Sequence, residues 1–217
     1  MKLYLNNFAE LISVLVAIVY YPYLKRTYMK WVLPFLLIVF FGELYTKYKG
    51  YILGEDTVGP NYLIAIAESV FYGYVFYYLS RKRIVKTGIF ILVSISIAGY
   101  ILSFLYSPKD HDLLYLNLVV SGLILSVVSL VYLYFRFLDD DHVYIIKEPE
   151  FWISFGVSIF FSGVCIVFSL HDIIIKYDLK MIGLKLHHIV PRVLSVVLYL
   201  SISIAIILCK KKTRISL

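Results

Sequence analysis

The sequence predicts an all-α membrane protein, a single bundle of seven transmembrane helices that occupies residues 1–217. Three observations predict it. Hydrophobic residues make up 61% of the chain and charged residues 16%, whereas soluble domains are roughly half apolar and about a quarter charged. The apolar residues fall into seven stretches of about 17–25 residues, long enough to span a hydrocarbon core. The basic residues lie mainly at the ends of these stretches, which is how membrane proteins are anchored and oriented.

The seven stretches are separated by short connections, so consecutive helices should be antiparallel neighbours in one bundle. The first contains Glu10 and has no small-residue cleavage site, so we interpret it as a spanning helix and not as a removed signal peptide. The second is the shortest and carries Pro34 in its first turn, where proline is tolerated. The predicted spans are Leu3–Tyr23, Trp31–Tyr48, Asn61–Ser80, Thr87–Tyr106, Asp112–Leu138, Phe151–Leu170 and His188–Cys209.

Lysine and arginine are distributed unequally between the two ends of the bundle. One end holds thirteen of them and the other holds eight. Since basic residues concentrate on the cytoplasmic side, we predict an outside N-terminus and a cytoplasmic C-terminus. Lys82 and Lys211 should then face the cytoplasm, and Lys49 and Lys180 the outside. The thirteen are Lys25, Arg26, Lys30, Arg81, Lys82, Arg83, Lys86, Arg136, Lys147, Lys210, Lys211, Lys212 and Arg214.

The connection between the last two spans reads HDIIIKYDLKMIGLKL. Its apolar residues recur at helical spacing, and Asp172, Lys176 and Lys180 form a polar row at i, i+4. We predict a short amphipathic helix on the outer surface, which either anchors the bundle or covers it as a lid.

Polar residues of five helices are predicted to share one layer, within about 10 Å of the outer boundary at roughly 1.5 Å per residue. A charged group facing lipid costs at least ~2.5–3.5 kcal/mol near mid-membrane, so these residues should turn inward. We predict an outward-facing polar pocket for a ligand or ion, in which Arg192 neutralises one or two glutamates. Glu68 lies deepest and should matter most for activity. The predicted site residues are Glu10, Glu43, Glu68, Asn117, Arg192 and Tyr199.

An alternative for the same layer is a polar staple that holds the helices in register without binding anything. Interhelical polar pairs contribute about 0.6–2 kcal/mol each in this way. Both interpretations require the carboxylates to lie inside the bundle, and the sequence leaves the choice between them open.

The remaining residue patterns predict no catalytic residue, metal or cofactor. Four histidines, His111, His171, His187 and His188, map to the outer edge, but without H-x3-H or HExxH spacing for zinc. No lysine lies between Arg192 and Lys210, which excludes a retinal pigment. The sixth span carries small residues at helical spacing, which favour helix packing over a serine nucleophile. These small residues are Ser154, Gly156, Ser158, Ser162, Gly163, Cys165 and Ser169.

Two stretches, NYLIAIAESVF and EPEFWISFGVSIFFSG, resemble a family of small, uncharacterised seven-helix membrane proteins common in Bacteroidota. The resemblance extends over nearly the whole chain and includes Glu43. It implies a bacterial inner-membrane location and no particular activity. The matching positions are Asn61, Tyr62, Glu68, Pro149, Phe151, Trp152, Ile153, Ser154, Gly156, Ile159 and Phe160.

These observations favour a receptor-like or sensory membrane protein over an enzyme. The lipid bilayer is the expected environment, and the loops 81–86 and 136–150 are the predicted contact surface for a cytoplasmic protein partner. We expect no direct contact with nucleic acid, and an oligomer is compatible with the sequence. A transporter or channel-type accessory protein that uses the intramembrane glutamates is the alternative, and an intramembrane enzyme acting on lipid is less favoured because nucleophile and metal motifs are lacking.

Overall fold

The computed structural model describes residues 5–25, 27–138, 142–178, 180–181 and 184–215, and nearly all of them lie in helices. Seven helices among the described residues are long and apolar enough to cross a membrane. This confirms the predicted all-helical chain with seven membrane-spanning stretches. The seven are α1 (Leu5–Leu24), α2 (Val32–Tyr48), α3 (Val58–Leu79), α4 (Arg83–Tyr106), α5 (His111–Leu138), α6 (Pro149–Ser169) and α8 (Leu186–Ile215).

The helices run in alternating directions, which defines two faces of the bundle. We call the end at which α1 begins the N-terminal face and the end at which α8 finishes the C-terminal face. α1, α3, α5 and α8 run from the former to the latter, and the other three spans run back. Short 3-10 helices, Tyr28–Trp31 and His142–Lys147, lie at the C-terminal face before α2 and α6.

Local sequence signals fix several helix ends. The carboxylate of Asp56 accepts a hydrogen bond from the Val58 backbone N–H at 3.2 Å, so α3 begins three residues before its predicted start. The Asp110 carboxylate accepts hydrogen bonds from the backbone N–H groups of Asp112 and Leu113 and in this way caps the N-terminus of α5. An aspartate oxygen satisfies helix N–H groups that have no partner within the helix.

The connection after α2 ends on a glycine for a conformational reason. Residues Lys49–Leu53 continue α2 as one wide π-helical turn, and Gly54 then adopts a left-handed backbone with φ of 65°. Glycine takes this conformation without the steric cost that a Cβ imposes. The chain is thereby turned back toward the start of α3.

The predicted amphipathic helix between the last two spans is shorter than expected. Helix α7 covers only His171–Lys176. Asp178 follows with a φ of 45°, which ends the helical path. The chain then forms an antiparallel pair of two-residue strands, β1 (Lys180–Met181) and β2 (Leu184–Lys185), where the sequence pattern predicted continued helix.

The core lies where α1, α2, α3, α6 and α8 meet. Phe35 of α2 stacks on Phe71 of α3 with ring centroids 4.0 Å apart, and Tyr72 meets Phe161 of α6 edge-on at 5.6 Å. All four side chains are buried. Large apolar side chains such as Leu63 are exposed on the outside of the bundle, where a bilayer would cover them.

Ser158 and Gly163 of α6 face other helices, as predicted, whereas Ser169 at the end of the same helix is exposed. Ser158 is buried. A Cβ added at Gly163 would lie 2.4 Å from Leu194 Cδ1, and one added at Gly156 would lie 2.8 Å from Ser201 Cβ. Both glycines therefore mark the places where α6 and α8 approach most closely.

Candidate functional site: an acidic cluster at the N-terminal face

Glu10 is the most deeply buried of the three predicted glutamates, with only 1% of its surface exposed. Two amides on its own helix hold it. Asn6 Nδ2 donates to Glu10 Oε1 at 3.2 Å, and Asn7 Nδ2 donates to Oε2 at 3.5 Å. Residues three and four positions apart lie on one face of a helix, so the first two turns of α1 build this carboxylate site by themselves.

Glu43, near the end of α2, joins the same network. The Asn6 amide also donates to Glu43 Oε2, at 3.4 Å, and the Lys47 ammonium donates to that oxygen at 3.0 Å. The carboxyl groups of Glu10 and Glu43 lie close enough to interact directly. A single amide and a single ammonium therefore hold two carboxylates together across the α1–α2 interface.

Glu68 is half-buried on α3 and interacts electrostatically with Glu43 and Tyr72. Its carboxylate makes no hydrogen bond or ion pair with any described residue, although a carboxylate at this depth is expected to have a partner. The Tyr72 hydroxyl is likewise buried without a hydrogen-bond partner among the described residues. Glu68 therefore keeps its full capacity to accept hydrogen bonds.

Tyr199 of α8 links the three glutamates. It is 3% exposed and lies within electrostatic range of Glu10, Glu43 and Glu68. Four of the six predicted site residues are therefore neighbours around one point inside the bundle.

The cluster is tied to α8 directly below Glu10. The Ser13 hydroxyl lies 2.8 Å from the carbonyl oxygen of Tyr199 and 2.8 Å from the Ser203 hydroxyl. Ser13 and Ser203 are both buried. These contacts fix the register of α1 against the last helix.

Asn117 belongs to a different set of contacts. Its amide donates to the Ser103 hydroxyl at 2.7 Å and to the Leu113 carbonyl at 2.9 Å, and not to a glutamate. The neighbouring hydroxyls of Tyr100 and Ser121 hydrogen-bond to each other. This second polar group joins α4 to α5.

Arg192 is half-buried on α8, two turns before Tyr199. Neutralisation of the glutamates by Arg192 stays a prediction. The ion pair that the structure shows in the cluster joins Lys47 to Glu43 at 3.0 Å.

Four residues of the cluster were not among the predicted site residues: Asn6, Asn7, Lys47 and Tyr72. The sequence contains the spacing that would have identified Asn6, Asn7 and Lys47, because each lies three or four positions from a predicted glutamate on the same helix. Tyr72 stands four positions after Glu68 and follows the same rule.

The cluster is rich in carboxyl groups and in hydrogen-bond acceptors. Asn6 Oδ1 is buried without a hydrogen-bond partner among the described residues. Together with three carboxylates it offers sites for a positively charged donor. No group of three or more His, Cys, Asp or Glu side chains within the described ranges is placed to hold a metal ion.

Comparison of the chain with protein-family models, with curated proteins and with solved structures finds no match.

Proposed function

We propose that this protein is a receptor-like membrane protein whose acidic cluster binds a small cation bearing N–H donors, such as a primary ammonium group. The observation that carries the proposal is the excess of carboxylate over positive charge inside the bundle. Glu10, Glu43 and Glu68 all interact electrostatically with Tyr199, and Lys47 forms an ion pair with Glu43. Like charges in a poorly hydrated interior repel each other, and a bound cation relieves that repulsion.

The geometry of the acceptors supports a ligand with several N–H donors. The Glu68 carboxylate and Asn6 Oδ1 have no donor among the described residues, so each has free capacity to accept a hydrogen bond. Charge-assisted hydrogen bonds from an ammonium to carboxylates are about twice as strong as neutral ones. A primary ammonium carries three such donors.

The packing below the cluster supports a receptor more than an open pore. On the C-terminal side of Glu68, Phe35, Phe71 and Phe161 pack around Tyr72 of the cluster and form a close-packed aromatic layer. A polar path for ions needs polar groups or water along its length. An apolar aromatic layer at this position favours a receptor over such a path.

The basic asymmetry supports an outside N-terminal face and a cytoplasmic C-terminal face. The resemblance to a Bacteroidota family supports a bacterial inner-membrane location. In this arrangement the loops 81–86 and 136–150 lie on the cytoplasmic side, and they are the surface that we propose for a protein partner.

The two tryptophans make the proposal testable. Trp31 and Trp152 both lie at the C-terminal face, at the starts of α2 and α6. The Trp152 Nε1–H donates to the Ile146 carbonyl at 2.7 Å. Tryptophan emission therefore reports on the face opposite the acidic cluster.

The experiment titrates the protein in lipid nanodiscs with methylammonium chloride while tryptophan emission is recorded. Tetramethylammonium chloride at equal ionic strength is the matched control ligand, because it has the same charge and no N–H donor. We expect a saturable emission change with methylammonium alone. Glu68→Gln should abolish it, whereas Glu55→Gln, an exposed carboxylate outside the cluster, should leave it intact.

Equal responses in the wild type and in Glu68→Gln would overturn the proposal. Uptake of methylammonium into proteoliposomes that disappears in Glu68→Gln would instead support the transporter alternative. An unaltered wild-type spectrum at every concentration of methylammonium would favour the polar staple.

A further inference from the structure

A second cavity lies at the C-terminal face, on the opposite side of the aromatic layer from the acidic cluster. Its volume is about 580 Å³, and the ends of α3, α4, α5 and α6 form its walls. None of the residues of the acidic cluster lines it. It is therefore a separate site, and a ligand bound in it is independent of the proposed function.

The interior of this cavity is largely apolar. Leu79, Val85, Ile89, Val128 and Val131 are among the residues that line it, and Tyr132 and Glu150 form part of the wall on the side of α5 and α6. Gly88 lines the cavity, and a Cβ added to it would meet no atom within 4 Å.

The mouth of the cavity is basic. Arg81 and Lys82 lie on its rim and are exposed. The Lys82 ammonium lies 5.0 Å from the centroid of the Phe135 ring on α5, which places positive charge across the opening. Arg81 makes no hydrogen bond or ion pair with a described residue.

The opposite wall is held by an ion pair. Arg136 of α5 donates from Nε to Glu148 Oε2 at 2.8 Å, and its second nitrogen donates to the other carboxylate oxygen. A two-point contact of this kind fixes both side chains. Because Glu148 already pairs with Arg136, the Arg81 guanidinium remains available to a ligand.

We propose that this cavity binds one anionic phospholipid, with an acyl chain between α4 and α5 and the phosphate at Arg81 and Lys82. The division into an apolar interior and a basic rim matches the division of a phospholipid into chain and headgroup. The cavity also lies at the end of the apolar spans, where headgroups meet water. Basic pockets between transmembrane helices on the cytoplasmic side bind anionic headgroups by this charge complementarity.

A phospholipid is favoured over a soluble anion by the apolar lining. A free phosphate gains nothing from the valine and leucine side chains, whereas an acyl chain packs against them and fills a gap between helices. Both a phospholipid and a free phosphate would contact Arg81 and Lys82 through the phosphate. Only the binding of the phospholipid should depend on the space beside Gly88, because only the phospholipid has an acyl chain.

The test measures lipid binding to the delipidated full chain by native mass spectrometry, with dioleoyl phosphatidylglycerol compared with zwitterionic dioleoyl phosphatidylcholine. We expect one phosphatidylglycerol to bind in preference. Arg81→Gln should weaken that binding about tenfold, because a charge-assisted contact is lost. Arg83→Gln is the matched control, since Arg83, the first residue of α4, is exposed and does not line the cavity.

A second pair of variants tests the acyl-chain part. Gly88→Leu places a side chain in the cavity at a position where an added Cβ meets no atom within 4 Å, and it should also reduce binding, whereas Thr87→Leu, on the exposed side of α4, should not. Undiminished binding to Gly88→Leu would overturn the proposal. So would full competition by glycerol 3-phosphate, which would identify a soluble-anion site, or equal binding of the two lipids.

Discussion

The close approach of α6 and α8 at Gly156 leads to a quantitative prediction about stability. Gly156→Ala should destabilise the protein, and Gly88→Ala should not. Both changes add one methyl group to a helical glycine and gain about 0.8–1.0 kcal/mol of helix propensity. That gain cancels when the two variants are compared, so their difference isolates the steric effect.

The steric effect follows from the distances at each site. At Gly156 the new Cβ would lie 2.8 Å from Ser201 Cβ and 3.2 Å from its Oγ, whereas carbon atoms pack at about 3.5–4.0 Å. Ser201 Cβ is fixed to the backbone and cannot rotate away, so the two helices must separate. Overpacking of a close-packed interior costs about 1–3 kcal/mol. At Gly88 nothing lies within 4 Å.

Gly163 provides an internal comparison of the two kinds of clash. Its added Cβ would meet Leu194 Cδ1, at 2.4 Å, which is the far end of a flexible side chain. Rotation of Leu194 relieves part of this contact, so Gly163→Ala should cost less than Gly156→Ala despite the shorter distance. Gly163→Leu should still reduce folding far more than Ile159→Leu, because no rotation makes room for four carbons.

The free energy of unfolding is measured by reversible SDS titration in mixed micelles for the wild type and the three alanine variants. We expect Gly156→Ala to lie about 1–3 kcal/mol below Gly88→Ala. Equal stability of these two variants would refute the inference that the α6–α8 contact is fixed by backbone approach.

Three further predictions concern the topology and the acidic cluster. Cysteine labelling in intact cells should find Lys82→Cys protected and Lys49→Cys accessible; strong external labelling at position 82 would reverse the orientation. Glu68→Gln should keep the wild-type free energy of unfolding within about 0.5 kcal/mol, since no hydrogen bond is lost, and a larger loss would reveal a partner. Asn6→Ala removes the amide donor that Glu10 and Glu43 share, so it should cost about 1–3 kcal/mol in the same SDS titration, and an unchanged value would contradict the network.

The spans and their small-residue contacts were predictable because each depends on a local property of the sequence. Hydrophobic length alone located all seven membrane-spanning helices, and helical spacing placed Gly156 and Gly163 on the packed face of α6. The hairpin after α7 was not predictable from periodicity. The helix before it ends where Asp178 adopts a left-handed backbone, and the spacing of apolar residues does not indicate that conformation.

The acidic cluster was predictable only in part because depth in a membrane fixes one coordinate and leaves the position around the bundle open. Depth along each span placed Glu10, Glu43, Glu68, Asn117 and Arg192 in one layer, and helical spacing put polar residues on one face of several spans. The structure places Asn117 against Ser103, since α5 presents that residue to α4. Lys47 was counted as a residue of the surface, and the i, i+4 rule pairs it with Glu43.

The packing of α8 against both α1 and α6 provides a path by which a movement at the acidic cluster would reach the opposite face. Tyr199 and Ser203 bind α1 beside the cluster, and Ser201, between them in sequence, meets Gly156 of α6. Helix α8 therefore contacts α1 and α6 within a single turn. Close-packed interfaces of this kind resist continuous deformation, so a displacement of α8 is passed on to α6 as a whole-helix movement. Since α6 begins at Pro149, next to the Arg136–Glu148 pair, the proposed ligand at the N-terminal face would reach the C-terminal loop through helix packing and would need no polar path.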